Sequence, residues 1–218
     1  MICRKNYRAC LKIAADNEKI EEALIKDREI VKNAIEQQQC LTIALYYYEN
    51  MLFLYTEGID KEVVPEHLFP NLSAYLELWP ERSGKTPWVG MFTIYYHDIP
   101  TEKNYWQREG KKKRRGRIAY LKEDKLFSYT YYHKAIVDEG LLEGDRYQFI
   151  ALHEDILFSY FEEPKLFTHI KKEKKEQSKV IDDWLAVDPE SHFDHTLSGK
   201  ENFLLLPELF SLGAEDCL

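Results

Sequence analysis

The sequence has no long hydrophobic run and few residues of the types that metal, disulfide and nucleotide motifs require. Apolar stretches such as residues 203–206 extend over only a few positions, so no membrane-spanning segment is predicted. The four cysteines include no Cys-x-x-Cys pair, which argues against a zinc site and a disulfide framework. The nine glycines form no Gly-x-Gly-x-x-Gly dinucleotide fingerprint. Because the first residues are polar and basic, we expect no secretory signal and a cytoplasmic protein.

Acidic residues outnumber basic ones in this chain. The 38 Asp and Glu residues against 30 Lys and Arg residues give a net charge of −8, which argues against nucleic acid as a partner. A basic run at residues 111–115 lies between two glycines and is typical of a solvated connector. With 44% hydrophobic and 14% aromatic residues, the chain is too rich in core-forming side chains to be disordered. We therefore expect a globular protein with neither a nucleic-acid nor a membrane partner.

The sequence repeats itself once. Met51-Leu-Phe-Leu-Tyr-Thr-Glu57 recurs as Ile156-Leu-Phe-Ser-Tyr-Phe-Glu162, and upstream of it Ile43-Ala-Leu45 recurs as Ile150-Ala-Leu152. The spacing between the two matching segments differs by two residues, and this difference falls in the intervening turn, where a length change costs least. The chain is therefore predicted to be a tandem duplication of a unit about half its length.

Each half shows the same order of predicted elements, which is strand, helix, hairpin, helical region and strand. The first helix of each half carries apolar residues at helical spacing, and the hairpin strands follow it. The first strands are predicted at residues 8–15 and 117–121, each followed by a helix. The hairpins are predicted at 40–45 with 51–56 and at 147–152 with 156–161. The second helical regions are predicted at 66–78 and 171–184, and the last strands at 90–96 and 202–209.

This βαββαβ order predicts an α+β fold built from two tandem ferredoxin-like units. Each unit has helices on one face of its sheet, so we expect the bare faces to pack sheet to sheet as a fused pseudo-dimeric α+β barrel. The predicted division is a first repeat at residues 1–99, a basic linker at 100–116 and a second repeat at 117–218.

The pair Tyr129 and His133 is the first candidate for chemistry. The two residues are four positions apart on a predicted helix, so they share the face that carries Leu126, Ile136 and Val137. An imidazole on such a face is either a core histidine satisfied by one hydrogen bond or a group that exchanges protons in a cavity.

The segment Tyr129-Thr-Tyr-Tyr-His133, followed by Ile150-Ala-Leu152 and Ile156-Leu-Phe158, resembles the L-rhamnose mutarotase family. In the first half, Asn50-Met-Leu-Phe53 is similar to the family's Asn-Leu-Leu-Phe. The resemblance implies a dimeric α+β barrel that interconverts the anomers of an aldose such as L-rhamnose. Opening of the sugar ring would need one general acid and one general base, and neither a metal nor a cofactor.

The resemblance also implies roles for four residues of the second half. His133 would transfer the proton with Tyr129 as its partner, and Tyr147 and Trp184 would orient a small-molecule sugar. The matching positions of the first half are Asp27 and Ala23, so the first repeat is expected to carry a degenerate site. The chain would then act as a monomeric pseudo-dimer or as a homodimer.

Three other hypotheses remain open at this point. The same fold can serve as a non-catalytic module that binds a small molecule or a partner, or it can support cofactor-free oxygenation or haem handling. The segment His192-Phe-Asp-His195 could hold a metal together with His169, but the set lacks a fourth ligand, which favours a hydrated loop.

Overall fold

The computed structural model describes residues 1–13, 16–82, 84–100, 106–108, 110, 112–140, 142–165, 171–172 and 178–217. Within these ranges the chain forms two five-stranded antiparallel sheets with helices, so the predicted α+β class is confirmed. In the described part of the chain, no helix is both long and apolar enough to cross a membrane.

Fourteen strands and six α-helices make up the described fold. In chain order the strands are β1 Ile2–Cys10, β2 Cys40–Tyr48, β3 Met51–Ile59, β4 Trp79–Glu81, β5 Gly84–Thr86, β6 Val89–Gly90, β7 Phe92–Tyr96, β8 Lys113–Tyr120, β9 Leu142–Glu143, β10 Phe149–His153, β11 Ile156–Glu163, β12 Lys171–Lys172, β13 Leu204–Leu205 and β14 Glu208–Gly213. The helices are α1 Asn17–Glu36, α2 Pro65–Leu68, α3 Pro70–Ser73, α4 Leu126–Glu139, α5 Lys179–Ala186 and α6 His195–Ser198.

The chain divides into two compact units. Unit 1 comprises Met1–Met91, Pro100–Lys111 and Pro207–Leu218, and unit 2 comprises Phe92–Ile99 and Lys112–Leu206. The five-stranded sheet of unit 1 has the order β14-β2-β3-β1-β6, and that of unit 2 has the order β13-β8-β11-β10-β7. The division at residues 99 and 116 that the sequence suggested stays a prediction.

The last strand of each half pairs within the sheet of the other half. Strand β7 lies next to β10, and β14 lies next to β2. We expected strands at residues 90–96 and 202–209 to close the sheets of their own halves. Of the described strands, only β6 and β13, near the starts of these ranges, pair in this way, with β1 and β8. The alternation of apolar and polar residues specifies which face of a strand is buried, but it does not specify the neighbouring strand.

In unit 1, α1 covers one face of the sheet. The side chain of Asp16 accepts a hydrogen bond from the backbone N–H of Glu18 and caps the start of this helix. The helix buries Val31, Ala34 and Ile35, at helical spacing, in a core that also contains apolar side chains of β2 and β3. The packing of this apolar stripe stabilises the helix more than its intrinsic propensity does.

The region predicted as one helix at residues 66–78 is two short helices, α2 and α3. Each begins at a proline, which lacks the N–H that a continuous helix would need. The start of α3 is held by the buried carboxylate of Asp27. It accepts hydrogen bonds from the backbone N–H of Asn71 at 3.1 Å, the side-chain amide of Asn71 at 2.7 Å and the backbone N–H of Leu72 at 2.8 Å.

The opposite face of the unit 1 sheet carries a buried charged group, Glu57. Arg108 donates two hydrogen bonds to its carboxylate, at 2.7 and 2.8 Å. Trp106 donates a third at 2.9 Å, and Tyr55 donates a fourth at 2.5 Å. Burial alone would raise the pKa of Glu57, but the charge and hydrogen bonds of Arg108 outweigh it and lower the pKa to about 2.

Unit 2 carries a related pattern on β8 and β11. Arg114 lies opposite Glu162 in register, as Arg4 lies opposite Glu57 in unit 1. Tyr160 donates a hydrogen bond to Glu162 at 2.6 Å. Arg114 is only 5% exposed although it belongs to the basic run, because β8 begins at Lys113 and places this side chain on a buried face.

Candidate functional site

The candidate site is built on α4 of unit 2. This helix buries Tyr129, His133 and Ile136 on the face that contacts the sheet. It ends at Gly140, which has a φ of 71° and donates its N–H to the carbonyl of Ile136. A positive φ at the end of a helix favours glycine, so this residue fixes where the helix stops.

Tyr129 and His133 stack face to face. Their ring centroids lie 3.9 Å apart, with an angle of 17° between the ring planes. Atom Nδ1 of His133 lies 2.9 Å from the carbonyl oxygen of Tyr129. Because a carbonyl oxygen only accepts, Nδ1 carries the hydrogen of the neutral ring, and Nε2 carries the lone pair.

Aromatic rings from two other elements complete the surroundings of His133. Trp184 of α5 lies 5.0 Å from His133 and 5.6 Å from Tyr129, edge to face in both cases. Tyr95 of β7 lies 6.1 Å from His133, also edge to face. Helix α5 is fixed by Ser178, whose hydroxyl accepts a hydrogen bond from the N–H of Ile181. The imidazole therefore sits among aromatic rings.

This environment keeps His133 neutral. Burial lowers the pKa of His133 to about 4, with a smaller contribution from His192, and the hydrogen bond to Tyr129 only partly opposes the change. Burial also raises the pKa of Tyr129, against the opposing effect of Arg117. At neutral pH the site therefore holds a free imidazole base and a phenol that is a weaker acid than usual.

The lowered pKa makes folding stability depend on pH. The unfolded chain binds a proton at His133 near pH 6.5 and the folded chain only near pH 4, so stability is full above pH 6.5 and decreases as the pH falls between these values. When the pH is lowered from 7 to 5, we expect the free energy of unfolding of wild type to decrease by about 2 kcal/mol more than that of His133→Phe. The His133→Phe variant keeps an aromatic ring in the stack with Tyr129. Urea unfolding of both proteins at the two pH values measures this difference. Equal losses in the two proteins would show that His133 titrates normally.

The structure brings together three of the four residues that the sequence suggested. Tyr129, His133 and Trp184 contact one another, with His133 and Trp184 only 9% and 8% exposed. Tyr147 is half-buried in the turn before β10. Its assigned role stays a prediction.

Sequence reasoning did not place two residues in this region: Arg117, and His192, which it considered only as a metal ligand. The ring of His192 lies 4.8 Å from that of Trp184, and its Nε2 lies 2.9 Å from the hydroxyl of Ser128. Arg117 lies on β8, and its positive charge acts on Tyr129. No spacing in the sequence connects these residues to α4, since they meet it only through the folded chain.

The alternative metal site is not assembled in the described residues. His195 lies 2.7 Å from the amide oxygen of Asn202, and Asp194 accepts a hydrogen bond from the N–H of Thr196 at the start of α6. His169 lies outside the described residues. Within the ranges that the structure describes, no group of three His, Cys, Asp or Glu side chains is placed to hold a metal.

No protein-family model and no curated protein matches the sequence. Among solved structures, a "putative monooxygenase" from Lactobacillus acidophilus NCFM aligns with 97% of this chain and 96% of its own, with a TM-score of 0.44 and 7% identity. A "putative monooxygenase" from Fusobacterium nucleatum covers 97% and 94%, with a TM-score of 0.43 and 10% identity. An anthrone oxidase-like protein covers 100% and 98%, with a TM-score of 0.35 and 8% identity. At these TM-scores and identities the alignments assign no function to this chain.

The predicted membership of the L-rhamnose mutarotase family is wrong, and so are the mutarotase activity, the isomerase class and the role in carbohydrate metabolism. No family model matches, and the three solved structures named above are called monooxygenases or anthrone oxidase-like, with no mutarotase among them. The site gives a physical reason. Sugar ring opening needs an acid and a base together. With a pKa of about 4, His133 is protonated in only about 0.1% of molecules at pH 7, and Tyr129 is a weakened acid.

Proposed function

We propose that unit 2 carries a base that removes a proton from a flat, weakly acidic aromatic compound, whose anion is then oxidised by O2 without a cofactor. The observation that carries this proposal is the neutral imidazole of His133, fixed in one tautomer and surrounded by aromatic rings. Such chemistry needs a base alone, because the anion of an anthrone or a hydroquinone reacts with O2 once it has formed.

The aromatic surroundings favour a flat ligand. Aromatic pairs prefer stacked or edge-to-face contacts, and the rings of Tyr129, His133 and Trp184 already meet in both ways. The small-molecule partner expected from the sequence is therefore retained as an aromatic compound instead of a sugar. Trp184 would contact its ring, and Tyr129 would hold the imidazole in place through the stack.

A base with a pKa of about 4 gains strength when the substrate ionises beside it. Burial lowers the pKa of His133 because an isolated imidazolium is poorly solvated there. An anion formed within hydrogen-bond distance supplies the missing counter-charge and raises that pKa. The positive charge of Arg117, close enough to act on Tyr129, would stabilise the same anion.

The proposed reaction balances without another reactant. For an anthrone, the methylene carbon loses two hydrogens and gains one oxygen atom of O2 as a ketone. The second oxygen atom leaves with the two hydrogens as water.

A cytoplasmic location is part of the proposal. Cys3, Cys10, Cys40 and Cys217 are all free thiols, which suits a reducing compartment.

The test is O2 consumption with anthrone and 1,4-dihydroxynaphthalene, corrected for oxidation in buffer. We expect wild type to exceed the buffer rate and His133→Gln to lose that excess by at least about tenfold. His195→Gln removes an exposed imidazole and should leave the rate unchanged. Since the neutral imidazole is the active form, the wild-type rate should fall only as the pH drops through about 4. Rates equal to buffer across this panel, or an undiminished His133→Gln rate, would refute the proposal.

A further inference from the structure

Two positively charged side chains of unit 2 share one aromatic ring. Atom Cζ of Arg117 lies 5.2 Å from the ring centroid of Phe161, and Nζ of Lys165 lies 3.9 Å from it. The guanidinium of Arg117 also lies 4.0 Å from the ring centroid of Phe203. The ring faces attract both cations, but two like charges in a partly desolvated place repel each other.

No carboxylate of the described residues neutralises this pair. The charge of Glu163 raises the pKa of Lys165, but its carboxylate accepts a hydrogen bond from Arg115 at 3.0 Å. Asp145 is close enough to affect the pKa of Lys165, yet no described carboxylate lies within 4 Å of the charged nitrogens of Lys165 or Arg117. The charges of Arg117 and Lys165 are thus available to a ligand.

The hydrogen-bonding capacity of Arg117 is also largely unused. Its Nε donates one long hydrogen bond, of 3.4 Å, to the hydroxyl of Ser159. In the described part of the chain, its other N–H groups have no acceptor. A guanidinium presents two parallel N–H groups at the spacing of the two oxygens of a carboxylate, so this residue is suited to bind one.

We infer that Arg117 and Lys165 form a binding site for the carboxylate of an aromatic acid. Phe161 and Phe203 flank the cations, and the partly exposed Phe203 would contact the apolar part of such a ligand. The inference rests on the proposed function in one respect, because it names the substrate class of the same site. Burial lowers the pKa of both cations, and Arg117 lowers that of Lys165 further, which agrees with their closeness.

Calorimetry at pH 7 tests the inference with 2-naphthoate as the probe and the uncharged 2-naphthamide as its control. We expect naphthoate to bind at least about tenfold more tightly than the amide, and added salt to weaken only naphthoate. Arg117→Gln and Lys165→Gln should each remove most of this preference. Arg115→Gln, which removes a neighbouring guanidinium already paired with Glu163, should leave it intact.

Thermal unfolding of each variant shows whether it is folded. Because Lys165 is half-buried, we expect Lys165→Gln to disturb the fold less than Arg117→Gln does. Equal affinity for acid and amide, or unchanged affinity in folded Arg117→Gln and Lys165→Gln, would overturn the inference. Oxidation of anthrone measured in the same preparations separates the two proposals. Binding of naphthoate without oxidation of anthrone would support the carboxylate site and refute the proposed function. Oxidation of anthrone without a preference for naphthoate would support the proposed function and refute the carboxylate site.

Discussion

Replacing Glu57 by alanine is expected to lower the free energy of unfolding by about 4 kcal/mol, the size typical of a broken buried ion pair. The substitution leaves the guanidinium of Arg108 buried without its counter-charge. It also removes the acceptor for the side-chain N–H of Trp106 and the hydroxyl of Tyr55. Urea unfolding monitored by tryptophan fluorescence measures the change.

The ion pair between Arg115 and Glu163 provides the matched control. Its atoms lie 3.0 Å apart, but both side chains are partly exposed, and exposed pairs contribute little. We expect Glu163→Ala to cost less than about 1 kcal/mol. If Glu57→Ala lowered the free energy of unfolding as little as Glu163→Ala, water would have to reach the partners of Glu57. The buried hydrogen bonds of Glu57 would then not stabilise unit 1.

The second large effect is expected at Asp27. Asp27→Ala should lower the free energy of unfolding by about 3 kcal/mol, because it leaves two backbone N–H groups at the start of α3 without an acceptor. Asp27→Asn keeps one acceptor oxygen and should cost less. Thermal and urea unfolding of the three proteins give the order of stability.

Asp16→Ala is the control, since Asp16 also accepts a hydrogen bond from a backbone N–H but at the exposed start of α1. Water can replace an exposed acceptor, so a smaller loss is expected. Similar losses for Asp16→Ala and Asp27→Ala would contradict a special role of the buried carboxylate.

Local pattern was sufficient to predict the elements that the two halves share. The hairpins were predicted at residues 40–45 with 51–56 and 147–152 with 156–161, and the structure has strands β2, β3, β10 and β11 there. Apolar residues cluster on both sides of a short turn in each case, and that signal lies within one segment. The face shared by Tyr129 and His133 followed from helical spacing in the same way.

Features that depend on distant contacts could not be predicted. The carboxylate of Glu57 accepts hydrogen bonds from Arg108 and Trp106, which lie in the stretch that was predicted as a linker. No periodicity of the sequence indicates such polar partners. The pattern of apolar residues in β7 and β14 likewise does not indicate that these strands pair with β10 and β2. The chemistry of His133 depends on burial, and burial follows from the whole fold, whereas spacing only places the side chain on a face.

In the predicted tandem duplication, Asp27 of α1 and His133 of α4 are matching positions, and both are buried. The carboxylate of Asp27 is committed to Asn71 and Leu72, so a histidine could not return to this position without loosening α3. A histidine at position 27 would therefore come with a loss of stability. Under the predicted duplication, this commitment of Asp27 would make the difference between the two halves hard to reverse.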